Sequence, residues 1–193
     1  ATGAIYAIRR TLFQRIPPGV TDDFFVSTGV IAAYRRLVFE PRAVAYEAAA
    51  GSSGAEFSRK VRIMTRGLWG VRTRRELLDP FRYGFYALQL ASHKVLRRLV
   101  VFPLLMLLVL APLLWTHGPL YRLATLGQLF FYGLALLYVA ARGTRLVRLK
   151  PLSLPFFFCA VNAAALVATI NVARGRRIDR WSPTVRRETP TEF

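Results

Sequence analysis

LATLGQLFFYGLALLYVAA, residues Leu123–Ala141, contains no charged side chain, and Gln128 is its most polar member. Two further runs share this character. Leu99–Trp115 is uncharged and holds Pro103 and Pro112, which predict bends; Pro155–Ala173 is uncharged and holds Asn162 and Asn171. Each is close to the ~20 residues needed to cross a bilayer. Core helices of a soluble protein are a poor alternative, because three such runs in succession without a charge are rare there. The expectation is two to three transmembrane helices (99–115, 123–141 and 155–173), followed by a basic tail over 174–193.

Composition supports this division. The chain of 193 residues is 54% hydrophobic yet carries a formal net charge of +18. Those two properties coexist when apolar segments sit in lipid and arginines sit at its charged surface. A nucleic-acid binder would explain the charge but leaves the apolar runs without a purpose, so no nucleic-acid partner is expected. The only cysteine is Cys159, which excludes an internal disulfide or a thiol zinc site. His93 and His117 are too few and too far apart to suggest a metal site. Ala1–Tyr6 has neither the charged start nor the apolar core of a secretory signal.

Cations flank the runs unevenly. Lys94, Arg97 and Arg98 precede the first; Arg142, Arg145, Arg148 and Lys150 fill the second connection; Arg174, Arg176, Arg177 and Arg180 crowd the tail. The bias toward positive cytoplasmic loops puts the front segment and the second connection in the cytoplasm. Three full spans would then place the basic tail outside, against the same bias, and the side of the tail stays open.

Ahead of the runs, the pattern is mixed. Gly3–Ile8, Arg36–Glu40 and Ala43–Glu47 read as short strands, with Pro41 separating the last two. Arg9–Ile16 allows one or two helical turns, which Pro17-Pro18-Gly19 ends. Thr21 or Asp22 suits the N-cap of a helix over Asp23–Tyr34. From Glu56, Phe57, Val61, Met64 and Leu68 recur at helical spacing with cations on other faces, which predicts a basic amphipathic helix in a membrane interface. Gly67 and Gly70 are expected to loosen it. A second interface segment is expected over Pro80–Arg98.

Carboxylates are concentrated near the front. Asp22, Asp23, Glu40, Glu47, Glu56, Glu76 and Asp79 occur before residue 80, and the next acid is Asp179. Any acid/base chemistry by a carboxylate is therefore expected from the first 79 residues.

The order of these motifs resembles membrane-bound family 2 glycosyltransferases of the cellulose, hyaluronan and poly-N-acetylglucosamine synthase type. The resemblance rests on Gly3-Ala-Ile-Tyr-Ala-Ile-Arg-Arg10, Thr21-Asp22-Asp23, Glu40-Pro41 with Ala43–Glu47, Phe57-Ser-Arg-Lys-Val-Arg62 and Ser92-His-Lys-Val-Leu-Arg-Arg98. It implies an α/β fold plus membrane helices: residues 1–55 as the C-terminal part of a GT-A catalytic domain, interface helices over 56–98, and the membrane region over 99–173. It also implies a cytoplasmic catalytic part on an inner, multi-pass membrane protein.

The activity implied is inverting transfer from a nucleotide-sugar to a glycan or lipid acceptor, with a divalent metal (Mg or Mn) whose ligands are not in this chain. Asp23 aligns with the general base, and Asp22 would support it, since adjacent like charges raise one another's pKa. The bland alternative is that both merely begin a helix. Arg59 and Arg62 fall in the family's acceptor-side Gln-x-x-Arg-Trp motif, with Arg59 in place of Gln and Ile63 in place of Trp. The missing Trp removes a stacking platform for sugar, so both polymerisation and single transfer remain open. Gly3 would admit a close-approaching acceptor. No Asp-x-Asp is present, so the chain is expected to be the acceptor-side, membrane-anchoring portion of a longer enzyme, inactive alone. A different class, a non-enzymatic membrane protein holding anionic lipid through its basic helices, is the alternative.

Overall fold

The structure, a computed structural model, describes residues 5–46 and 53–178. Gly3, Glu47, Gly51 and Ser52, and the tail from Asp179, lie outside the described residues. In chain order the helices are α1 (Asp22–Ala32), α2 (Ser53–Thr73), α3 (Pro80–Tyr83), α4 (Phe85–Leu90), a π-helical segment (Ala91–Leu96), α5 (Arg97–Leu99), α6 (Val101–Leu113), α7 (Pro119–Ala140) and α8 (Lys150–Ala173).

The α/β expectation is not supported. Among the described residues there is no strand: 5–8, 36–40 and 43–46 form neither strand nor ladder. A strand persists only where a neighbour takes its backbone N–H and C=O groups, and none of these segments has one. Val38, Phe39 and Tyr46 stand 88%, 84% and 96% exposed, so the apolar side chains of these segments have no layer to face. The Arg9–Ile16 turn does form, as a 3-10 turn over Arg10–Leu12.

Helix α1 forms close to where expected. Thr21 is its N-cap, and Asp22 and Asp23 occupy the first turn, where negative charge complements the helix dipole. It ends in a Schellman arrangement: Arg35 N–H donates to Val30 O and Tyr34 N–H to Ile31 O, with Tyr34 at a φ of 54°. A left-handed non-glycine costs about 1–2 kcal/mol. The Tyr34 ring stacks on Tyr83 at 5.4 Å between centroids, and such a pair returns about 0.5–1.5 kcal/mol. The same ending on α8 uses Gly175, at a φ of 72°.

Two buried clusters surround α1. Phe24 joins Val71, Leu77 and Leu90, with Ile31 and Tyr86 at the margin; Val20, Phe25 and Trp69 form a second cluster, joined by Ile16 and Val172. Gly67 and Gly70 do not loosen α2, which stays helical to Thr73. They are points of close approach instead. A Cβ at Gly70 would sit 2.6 Å from Phe24 Cδ1, and one at Gly67 the same distance from Arg98 Nη2.

Two helices, α7 and α8, are long and apolar enough to cross a membrane. They form an antiparallel pair in which Tyr138 stacks on Phe156 at 4.3 Å and Phe131 meets Phe158 edge-on at 5.3 Å. Their polar side chains are bonded locally: Thr125 to Tyr121 O, Asn162 to Phe158 O and Thr169 to Ala165 O, while Gln128 Nε2 reaches Leu107 O on α6. The first expected span is different. Helix α6 has 13 residues, about 20 Å at the helical rise, short of a ~30 Å hydrocarbon core. Only with Phe85–Leu99, from which it is bent by 44°, does it reach spanning length. The bend falls at Val100 rather than at Pro103 itself because the proline ring clashes with the carbonyl four residues earlier, that of Leu99.

Helix α2 runs lengthwise beside α8, in the same direction, rather than across it. Phe57 and Lys60 share a cleft with Phe156 and Ala160, and farther along, Trp69 Nε1 donates to Arg176 O. Small residues are buried on both helices: Thr65 on α2, and Ala164, Ala165 and Ala168 on α8.

Candidate functional site

Asp22 and Asp23 are placed by the turn Pro17–Gly19 and by the start of α1. Val20 is buried next to Trp69, and its carbonyl accepts from Arg66 Nη2 at 2.6 Å, so the chain entering α1 is held on α2. Phe24 is locked against Gly70. Between these anchors Asp22 is exposed and Asp23 half-buried. Asp23 Oδ1 accepts the N–H of the adjacent Phe24 at 2.7 Å, which orients the carboxylate and leaves its second oxygen free of any hydrogen bond among the described residues. Neither aspartate is the N-cap itself, a place taken by Thr21.

Cations from the π-helical segment and α5 face this end of α1. The Lys94 ammonium lies 5.4 Å from the Phe24 ring centroid and within electrostatic reach of Asp23, Arg97 and Arg98. Arg98 Nη1 donates to Lys94 O at 2.8 Å, and its guanidinium fills the space that a side chain at Gly67 would occupy. A π-helical turn is uncommon and tends to mark functional positions; this one carries Ser92, His93 and Lys94. His93 is exposed.

The other expected site residues are not gathered at Asp23. On α2, Arg62 lies about two turns and Arg59 about three turns before Gly70, the residue against Phe24. Arg59 is exposed and Arg62 half-buried. Gly3 lies outside the described residues. Sequence reading thus placed the carboxylates but not their cationic neighbours as part of the site. The signal for those was the Lys94–Arg98 run, read there as a membrane flank.

Other charged groups serve packing. Arg74 bonds Gln14 Oε1, reaches Glu76 at 3.9 Å and covers the Phe25 ring at 4.3 Å. Trp69 is covered by Arg72 at 5.1 Å and Arg177 at 4.8 Å. The Lys60 hydrogen bond holds the Glu56 carboxyl below its usual range. Among the described residues no three of His, Cys, Asp and Glu come together to hold a metal ion. In comparisons with family models, curated proteins and solved structures, nothing matches this chain.

Proposed function

We propose that this chain is the acceptor-side, membrane-anchoring part of an inverting glycosyltransferase, with Asp23 as general base. The resemblance described above motivates the reading. The observation that carries it is a half-buried carboxylate with one oxygen tied to Phe24 N–H, facing Lys94.

A sugar hydroxyl is a weak nucleophile until a positioned base takes its proton during attack. Asp23 accepts that proton as the hydroxyl oxygen bonds to the anomeric carbon. The bond from that carbon to the nucleotide diphosphate breaks on the opposite side, giving inversion without a covalent intermediate. Lys94, beside the Phe24 ring and within electrostatic reach of Asp23, supplies positive charge at this end of α1. Asp22, exposed one residue earlier, supports the local charge without touching the acceptor. Donor binding and any metal belong to residues that the resemblance places before Ala1.

The test is sugar transfer by a protein that carries that donor half. Asp23→Asn should lower the rate constant by about 10²–10⁴-fold, the usual contribution of a positioned base, with helix content unchanged by circular dichroism. Asp22→Asn should cost far less. Transfer at the wild-type rate by Asp23→Asn would remove Asp23 from the chemistry.

A further inference from the structure

Near the end of the α7–α8 pair where α7 stops and α8 begins, a cleft of about 330 Å³ opens between α2 and α8. Its walls are apolar, formed by Phe57, Phe156, Phe157 and Ala160. Its polar lining is Lys60, Arg142 and one carboxylate, Glu56. Glu56 bonds Lys60, but an ammonium has three donors, so two remain. The Arg142 guanidinium lies 5.4 Å from the Phe156 ring centroid, and among the described residues no carboxylate pairs with it.

The level of the cleft identifies its occupant. Arg142 follows the end of α7 and Lys150 begins α8, so these cations mark the headgroup depth if the pair crosses a bilayer. A ligand seated there meets two cations at its head, while below it Phe157 and Phe158 lie open along α8. A free phosphate would leave the aromatic walls wet, and a neutral amphiphile would leave Arg142 without a counter-charge. Basic pockets flanked by spanning helices hold acidic lipid headgroups for the same reasons. We infer that the α2–α8 cleft binds one anionic phospholipid, its phosphate between Lys60 and Arg142 and its first acyl carbons against Phe156, Phe157 and Phe57. The site lies well along α2 from the Val20 and Phe24 contacts at Arg66 and Gly70, so it is separate from Asp23.

The experiment is native mass spectrometry of the full chain, purified in mild detergent and supplied with dioleoyl phosphatidylglycerol or with phosphatidylcholine of the same chains. One phosphatidylglycerol should remain bound per chain, and phosphatidylcholine should not. Lys60→Gln and Arg142→Gln should each weaken retention about fivefold, and about 25-fold together, from roughly 1 kcal/mol per cation near an anionic lipid. Ala160→Trp, which fills the cleft and keeps both cations, should also abolish retention. Arg145→Gln, at the same level but outside the cleft, should change it less than twofold. Inorganic phosphate at millimolar concentration should not displace the lipid. Equal retention of the two lipids, or displacement by phosphate, would overturn the inference. So would wild-type retention by the double variant or by Ala160→Trp, with circular dichroism confirming that each variant is folded.

Discussion

The two flanks of this molecule handle apolar side chains in opposite ways. Around α1, Phe24, Val71 and Leu77 are buried against one another and Phe24 against Gly70, while Phe25 is buried with Val20 and Trp69. On α7, Leu123, Leu126, Leu129, Phe130 and Leu136 all stand exposed, although the sequence there is more apolar. A protein in water hides such surface, so this flank is built for another solvent. Charges divide the same way. The cations of the first flank are used in contacts, as Arg66 is on Val20 O and Arg74 on Phe25, whereas α7 has a single cation, Arg122 near its start, and α8 only Lys150 at its first position.

The contrast breaks most readily at the first flank's core. Leu77 is fully buried, and Leu77→Ala should destabilise by about 2–5 kcal/mol, read as a lower midpoint in denaturant for the detergent-solubilised chain. On the other flank the exposed Leu136 tolerates truncation, and Leu136→Ala should shift the same midpoint by less than about 0.5 kcal/mol. Leu136→Arg, by contrast, should impair insertion by about 2.5–3.5 kcal/mol. Measured in cells as the fraction membrane-integrated, an arginine accepted at Leu136 without loss would mean that α7 does not face lipid.

Gly70→Ala comes next. Its new methyl overlaps the Phe24 ring, which has no free end to swing aside, and the cost should be about 1–3 kcal/mol. Gly67→Ala meets only the end of the Arg98 side chain and should cost less, so the order of the two variants checks the α1–α2 packing. At Tyr34, replacement by Gly relieves the left-handed backbone and loses the Tyr83 stack, leaving stability within about 1 kcal/mol of wild type. Tyr34→Ala keeps the strain, loses the stack and should be the worse of the two in the same denaturation measurement.

The smallest effect concerns pH. Glu56 is held below the ordinary carboxylate value by Lys60, so the pair is formed at neutral pH and is lost only as pH falls through the lowered pKa. A carboxyl carbon-13 titration should show this, and Lys60→Gln should return Glu56 toward the ordinary range.

Much of the apolar flank was legible because a long uncharged run has one dominant explanation. Leu123–Ala141 and Pro155–Ala173 lie within α7 and α8 to within a few residues. Leu99–Trp115 read as a span of its own because its composition is apolar, while the clash of Pro103 with the Leu99 carbonyl, which divides it from the preceding helix, is a matter of geometry. The first flank was legible only locally. Thr21-Asp22-Asp23 announced the start of α1, but Val38 and Tyr46 read as strand residues because a short β-prone run says nothing about whether a partner strand exists. Gly67 and Gly70 read as breakers because their contacts, Arg98 and Phe24, are distant in sequence. Lys94 became part of the Asp23 site for the same reason: α1 and the π-helical segment meet only in the folded chain.

The division between flanks is tested most directly by nitroxide labels at Leu129 and Arg59, each placed singly in Cys159→Ala protein reconstituted in vesicles. Collisional relaxation by oxygen, which concentrates in lipid, and by a water-soluble nickel chelate should separate them. Leu129 should be oxygen-accessible and nickel-protected, and Arg59 the reverse. Nickel access at both positions would contradict a lipid-facing α7, and oxygen access with nickel protection at both would contradict a water-facing side of α2 at Arg59.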